Sequence, residues 1–445
     1  VLSQPALLIG IMSCVGLVAL KRPFHKVMTG TLKPILGYLM LAAGAGVIVS
    51  NLDPLGKMIE HGFHITGVVP NNEAIVAVAQ KVLGVETMSI LVVGLLMNLC
   101  IARFTKFKYV FLTGHHSLFM ACLMSAVLGT AGMSGMELIL VGGFLMGAWS
   151  AISPAIGQSY TSKVTDGDEI AIGHFGSLGY YLSAWVAQYV GKAEDSTEDI
   201  EIPEKWGFLR DSTLSTALTM IVFYLIAAIA AGSEFVSTLS GDMSPYLYAV
   251  MSAMNFAVGV TIVYSGVRMI LGDLIPAFQG IATKIIPNAI PAVDCAVFFT
   301  YAPTAVVLGF LSSFIGGIIG MLILGAVGGV LIIPGLVPHF FCGATAGIYG
   351  NATGGRRGAA VGAFLNGLAI TFLPAMALPV LGQLGFQNTT FGDADFAVMG
   401  LVLGNAYEWL GMTGIYGIVA IAALVLIIPN FIKTKGKVIN YVEED

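Results

Sequence analysis

Val141-Gly142-Gly143-Phe144-Leu145-Met146-Gly147 returns as Val361-Gly362-Ala363-Phe364-Leu365-Asn366-Gly367, 220 positions later, and the same spacing carries Pro154-Ala155 onto Pro374-Ala375. A chain of 445 residues that repeats itself at about half its length folds as two related halves. Those halves belong in a membrane. Only 10% of the residues are charged, where soluble domains carry about 25%. The apolar runs are continuous, as in helical spans, and do not alternate as barrel strands do. Duplicated halves are a recurring plan of membrane transporters, whose substrate site lies between the repeats.

At about 20 apolar residues per crossing, the chain holds roughly ten or eleven spans. One set is expected over 5–20, 34–50, 86–102, 109–130 and 136–156. A second is expected over 213–232, 246–270, 297–330, 357–381 and 412–432. Between them lie apolar stretches broken by Pro, Gly, Asn, Asp and His: 62–80, 168–190, 283–296, 333–350 and 393–411. Polar backbone at membrane depth survives only where protein or a water-filled cavity covers it. These stretches read as re-entrant hairpins or discontinuous helices that line a site. The domain plan is a first repeat over 1–190, a polar linker over 191–212, a second repeat over 213–411, and a last helix with its tail over 412–445.

Ser196-Thr197-Glu198-Asp199 in the linker has the form of a capping box, and Trp206, Phe208 and Leu209 suit a bilayer surface. Lys21-Arg22 after the first run and Lys433-Thr434-Lys435 after the last place both of those ends in the cytoplasm. No cleavable signal peptide is evident. An odd number of crossings per half would invert the halves relative to each other. The five cysteines stand singly and read as small buried hydrophobes.

Glu73 and Asp294 lead the candidates for chemistry. Each stands three positions after a proline, Pro70 or Pro291, at matching places in the repeat. A carboxylate at membrane depth normally faces a cavity, a partner or a substrate. The plainer alternative is a carboxylate tied to its own hairpin. Asn72 adds an amide beside Glu73. His115, His116, His174 and His339 lie in or next to the broken stretches. A neutral imidazole donates from one nitrogen and accepts at the other, which suits a polyhydroxyl ligand. His115 and His174 are favoured for ligand contact. Phe119 and Phe175 stack on a ligand or merely pack. No local spacing supplies a metal site, and no nucleotide-binding loop, nucleophile elbow or Cys-x-x-Cys is present, so no catalytic centre is visible.

Leu112-Thr113-Gly114-His115, Val164-Thr165-Asp166-Gly167, Ile172-Gly173-His174, Val293-Asp294-Cys295-Ala296, Tyr301-Ala302-Pro303 and Ile332-Ile333-Pro334-Gly335 resemble the ascorbate-type enzyme IIC permeases of the bacterial phosphotransferase system. The likeness covers essentially the whole chain. It implies an all-α polytopic inner-membrane homodimer with about eleven transmembrane helices. It implies two inverted five-span repeats, a V-shaped scaffold and a core part with re-entrant hairpins that carries the sugar by an elevator movement. Phosphate would come from the phosphocysteine of a partner enzyme IIB, with enzyme IIA upstream. No cofactor, metal or nucleic acid is implied, and the permease is not itself the phosphoryl donor.

By position, His115, His174 and Asp294 match sugar-contacting residues of the family. The Gly44–Gly46 turn matches its backbone contacts, and Asn72 falls near another polar contact. The chain departs from the family pattern at Phe119 and Phe175, where the enterobacterial ascorbate permease has glutamines. Uptake of L-ascorbate or a related polyol coupled to phosphorylation is the leading function. An ion-coupled secondary transporter that uses Glu73 or Asp294 is the alternative.

Overall fold

The duplicated spacing runs through the element boundaries of the structure, a computed structural model that describes residues 5–64, 67–70, 72–167, 170–200, 212–382 and 389–431. The first half comprises α1 (Pro5–Ala19), α2 (Phe24–Phe63), β1 (Val69–Pro70), α3 (Asn72–Phe104), β2 (Tyr109–Phe111), α4 (Gly114–Thr130), α5 (Gly135–Thr165), β3 (Ala171–Ile172) and α6 (Ser177–Val190). The second comprises α7 (Ser212–Ala231), α8 (Ser233–Ser240), α9 (Pro245–Lys284), β4 (Ile290–Val293), a 3₁₀ turn (Cys295–Thr300), α10 (Pro303–Ala326), α11 (Leu336–Gly382), β5 (Thr389–Thr390) and α12 (Ala394–Leu410), followed by α13 (Met412–Ile427). Helices α2 and α9 each have 40 residues and start 221 positions apart. Helix α4 and the start of α11 are separated by 222.

The helices sort into two bodies. Helices α1, α2, α7 and α9 pack on one another, while α3–α6 pack with α10–α12. In the first body, α2 and α9 cross where each has shed its side chains. A Cβ on Gly44 would stand 2.7 Å from the Gly259 carbonyl oxygen, and one on Gly37 would stand 2.8 Å from that of Gly266. Small residues let membrane helices approach this closely. Counting 222 along the repeat turns Gly37 into Gly259 and Gly44 into Gly266. The two contacts are therefore reciprocal, as a two-fold relation between the halves requires.

Three of the five broken stretches hold short strands, and every strand pairs in parallel. Strand β4 lies between β2 and β3, with Phe111 opposite Ala292 and Ile172 opposite Val293. In a matching arrangement β1 pairs with β5, and Val68 bridges to Ile332 on its other side. Ladder bonds such as Gly173 N–H to the Val293 carbonyl (2.7 Å) and Val68 N–H to the Leu331 carbonyl (2.8 Å) satisfy backbone that no helix covers. The stretch expected to open a span at 109 begins instead as β2.

Among the described residues, seven helices are long and apolar enough to cross a membrane, or eight if α7 and α8, bent by 117°, make one span. The sequence had suggested about eleven. Helices α1, α4, α6 and α12 have 15, 17, 14 and 17 residues, short of the ~20 that a full crossing takes. Helix α11 runs through 47 residues but breaks at Gly354 and Gly355, where Gly355 takes φ 59° and ψ −152°. A side chain there would meet the carbonyl oxygens of Lys192 and Asp195 at 2.3 and 2.4 Å.

The linker docks at this break. Arg356 N–H donates to the Asp195 carbonyl (2.9 Å), and Asn351 accepts from Thr197 N–H (2.8 Å). Ser196–Asp199 does not cap a helix of its own. The Glu198 carboxylate instead accepts from the Thr304 and Ala305 N–H groups, capping α10 from a distance in sequence. Trp206, Phe208, Leu209 and the basic tail lie outside the described residues. Of the cysteines, Cys122, Cys295 and Cys342 are buried, while Cys100 is exposed on the helix surface.

Candidate functional site

Each short strand ends by delivering a polar side chain to one place. His115 follows β2, His174 follows β3, Asp294 follows β4, Asn72 follows β1 and Asp393 follows β5. All five line a cavity of about 1510 Å³ that runs along the C-terminal half of α2 between the two helical bodies. The cavity extends past Asp53, Lys57 and Glu60 to Phe63.

His115 sits in the first turn of α4. Its Nε2 is 3.3 Å from Asp294 Oδ2, and its Nδ1 faces the Tyr38 hydroxyl of α2 at 3.2 Å. Asp294 Oδ1 accepts from Ala296 N–H at 3.1 Å, so this carboxylate caps the 3₁₀ turn with one oxygen and faces the histidine with the other.

His174 is nearly fully buried. Its Nδ1 accepts from Gly176 N–H (3.1 Å) and lies 2.8 Å from the Tyr180 hydroxyl. His116 Nδ1 accepts from Phe175 N–H at 3.2 Å. A backbone N–H has no other role to play, so both rings are neutral with the proton on Nε2. The two rings lie in contact, with centroids 3.7 Å apart and planes tilted by 46°.

Asp393 accepts from Asn72 Nδ2 at 2.6 Å and from Cys342 Sγ at 2.9 Å. The Asn72 amide oxygen in turn accepts from Gly392 N–H at 2.9 Å, locking the pair. Two residues on, Asp395 is out of the cavity. It is wholly buried and accepts from Trp149 Nε1 (3.2 Å), Ser177 Oγ (2.8 Å) and Leu178 N–H (2.9 Å).

His116, His174 and Asp393, and likewise His174, Asp294 and Cys295, bring potential metal-ligand atoms within 4.8 Å of one another. Metal on the Nε2 of His116 or His174 would move its proton to Nδ1, against a backbone N–H. The clusters therefore present N–H donors and carboxylate acceptors suited to hydroxyl groups.

The structure brings together His115, His174, Asp294 and Asn72, as their sequence positions suggested. Two candidates sit differently. Phe175 is fully buried and stacks on Phe111 with centroids 4.6 Å apart. It lies in the turn that Ser177 N–H closes on the His174 carbonyl, with its ring outside the cavity lining, so it supports the site from behind. Gly44 is mid-helix and not in a turn; it makes the crossing with α9, and only Gly46, with no atom within 4 Å of a built Cβ, faces the cavity. Glu73 is the second residue of α3, and its side chain lies outside the described residues.

The spacing of 222 also revises its pairing with Asp294. Val68 N–H bonds to the Leu331 carbonyl as Ile290 N–H bonds to that of Lys108, so Asn72, and not Glu73, answers to Asp294 in the other half. Asp393 and Tyr38 were not singled out from the sequence. The signal for Asp393 was present, since it is a carboxylate at the head of the broken apolar stretch 393–411.

The sequence model of the family described as PTS system sugar-specific permease component (EIIC-GAT) matches residues 1–395. A relative from Mycoplasma pneumoniae, described as the ascorbate-specific PTS system EIIC component, is 26% identical over 469 aligned residues, covering 92% of this chain and 70% of the relative.

Proposed function

The chain belongs to the family of sugar-specific permease components of the phosphotransferase system, and from that premise we propose that it carries L-ascorbate across the inner membrane as the IIC component. The observation that carries this reading is the convergence of His115, His174 and Asp294 with Asn72 and Asp393 at the end of one cavity. The relative's ascorbate specificity supports the substrate. The set of neutral N–H donors and carboxylate acceptors supports a polyhydroxyl ligand generally.

Two inverted repeats fit the paired strand sets and the reciprocal glycine contacts. The helices α1, α2, α7 and α9 serve as the V-shaped scaffold of a homodimer, and the remainder slides along it as an elevator. In that movement the Tyr38–His115 bond joins the two bodies and breaks. With the tail in the cytoplasm, the cavity opens to the outside. Phosphate comes from the phosphocysteine of enzyme IIB, charged by enzyme IIA, as the permease family implies.

In vesicles, phosphorylated ascorbate is expected to accumulate only when enzymes IIA and IIB are supplied inside. Uptake driven by an ion gradient alone would replace this reading with an ion-coupled transporter. Asp294→Asn and His174→Ala are expected to weaken ascorbate binding at least tenfold, in line with the ~1.5–3 kcal/mol of a hydrogen bond to a charged group for Asp294. Direct titration of purified protein checks this, and wild-type affinity in both variants would remove the site assignment.

A further inference from the structure

We propose that the site takes its anionic substrate together with one proton, which His115 holds against Asp294. The inference rests on the ascorbate reading, since ascorbate is a monoanion at neutral pH. The difficulty for such a ligand is electrostatic. Asp294 and Asp393 approach the end of the cavity from the two opposite strand sets, each no more than 8% exposed. Among the described residues that line the cavity, Lys57 is the one lysine or arginine. It is tied to Asp53 at 2.8 Å. It also lies 19 residues along α2 from Tyr38, the partner of His115, or roughly 28 Å at the rise of a helix. That is several screening lengths at physiological salt. An anion entering beside two carboxylates therefore needs a positive charge supplied locally.

The facing titratable groups differ in their freedom to supply it. These are Tyr38 on α2, His116 on α4, His174 after β3, Cys295 after β4, Cys342 on α11 and Asp393 after β5. His116 and His174 each receive a backbone N–H at Nδ1. A second ring proton there would set donor against donor. Asp393 already accepts from Asn72 and Cys342. His115 has no such bar. Its Nε2 faces a carboxylate, and its Nδ1 faces a hydroxyl that turns from donor to acceptor by rotating one bond. Its side chain is also 39% exposed to the cavity, where a proton can reach it. The imidazolium then donates to Asp294 and to Tyr38, which leaves the ligand beside a neutral pair.

Titration calorimetry with ascorbate, in two buffers of equal pH and different ionisation enthalpy, tests this on the full-length protein. The expected enthalpies differ by the uptake of about one proton per ligand bound. On the alkaline side the apparent Kd should rise about tenfold per pH unit, as linkage requires. The uncharged L-gulono-1,4-lactone, which lacks the acidic enediol, is expected to bind with equal enthalpies in both buffers. His115→Gln keeps a side-chain donor but cannot take the proton. It should bind ascorbate more weakly and without buffer dependence. Equal wild-type enthalpies for bound ascorbate overturn proton uptake while leaving the substrate reading intact. Absence of ascorbate binding in either buffer overturns both. Buffer dependence that persists in His115→Gln removes the proton from His115. If that variant does not fold, the wild-type pair of buffers decides.

Discussion

Asp395→Ala is expected to abolish a stable fold, while Asp393→Asn, two residues away, melts close to the wild type and loses ligand. The two carboxylates look alike in the sequence and do opposite work. Asp395 is completely buried and ends three hydrogen bonds, from Trp149 on α5 and from Ser177 and Leu178 at the start of α6. It thereby joins α5, α6 and α12 and stands at the N-terminal end of α6, where a negative charge is favoured. Alanine would leave three donors without a partner at about 1–3 kcal/mol each, a sum that rivals the ~5–15 kcal/mol by which folded proteins are stable. Asp395→Asn keeps an acceptor for the Leu178 N–H and lets the Ser177 hydroxyl turn, so it should cost less than alanine. Asp393→Asn retains the shape and one oxygen, for Asn72, while the bond from Cys342 to the other oxygen is lost, and its stability change should stay within about 1.5 kcal/mol, one ordinary hydrogen bond. Thermal unfolding in detergent, with and without ascorbate, gives both readings. Equal melting of Asp395→Ala and wild type would show that the three bonds do not hold the core body together.

That contrast also shows where sequence reading stops. Helix α1 falls almost where its apolar run ends, because nothing interrupts it. Helix α2 extends well beyond the expected 34–50, because Pro34, Pro54 and Asp53 look like ends and are in fact carried inside the helix; neighbouring helices in a membrane tolerate such residues. Tyr109-Val110-Phe111 is apolar on either reading, and three residues do not separate a strand from the start of a helix. The broken stretches stand out because they place Pro, Asn and Asp in apolar surroundings, yet most of 333–350 runs into the long helix α11. That three of them pair as parallel strands with the opposite half was not legible, since register is a long-range property. The same limit caused the slip at Glu73. Aligning Pro70 with Pro291 is natural in sequence, but the spacing of 222 sets Pro70 level with Ala292 and Asn72 level with Asp294. His115, His174 and Asp294 stood out because ionisable groups at membrane depth are costly without a task, and Asp393 met the same criterion.

Gly44→Leu is expected to disrupt the crossing of α2 and α9, whereas Gly46→Ala, half a turn away, leaves the fold intact and narrows the cavity. The reason lies in what each side chain would meet. At Gly44 the first added carbon is already 2.7 Å from the Gly259 carbonyl oxygen and 2.8 Å from the Val263 nitrogen, both main-chain atoms of a packed helix. Neither can turn aside as a flexible side chain would, so the helices must separate, and the reciprocal contact of Gly37 with Gly266 is pulled apart with them. Overpacking a well-filled site costs about 1–3 kcal/mol and more where backbone must move, and here two contacts of one crossing are lost together. At Gly46 nothing lies within 4 Å, and alanine gains ~1 kcal/mol of helix propensity over glycine. Its methyl group projects into the cavity, so its effect should appear in ligand affinity and not in melting. Size-exclusion profiles and thermal unfolding of the two variants separate these outcomes. A monodisperse Gly44→Leu protein that melts like the wild type would mean that Gly44 serves the ligand and not the scaffold.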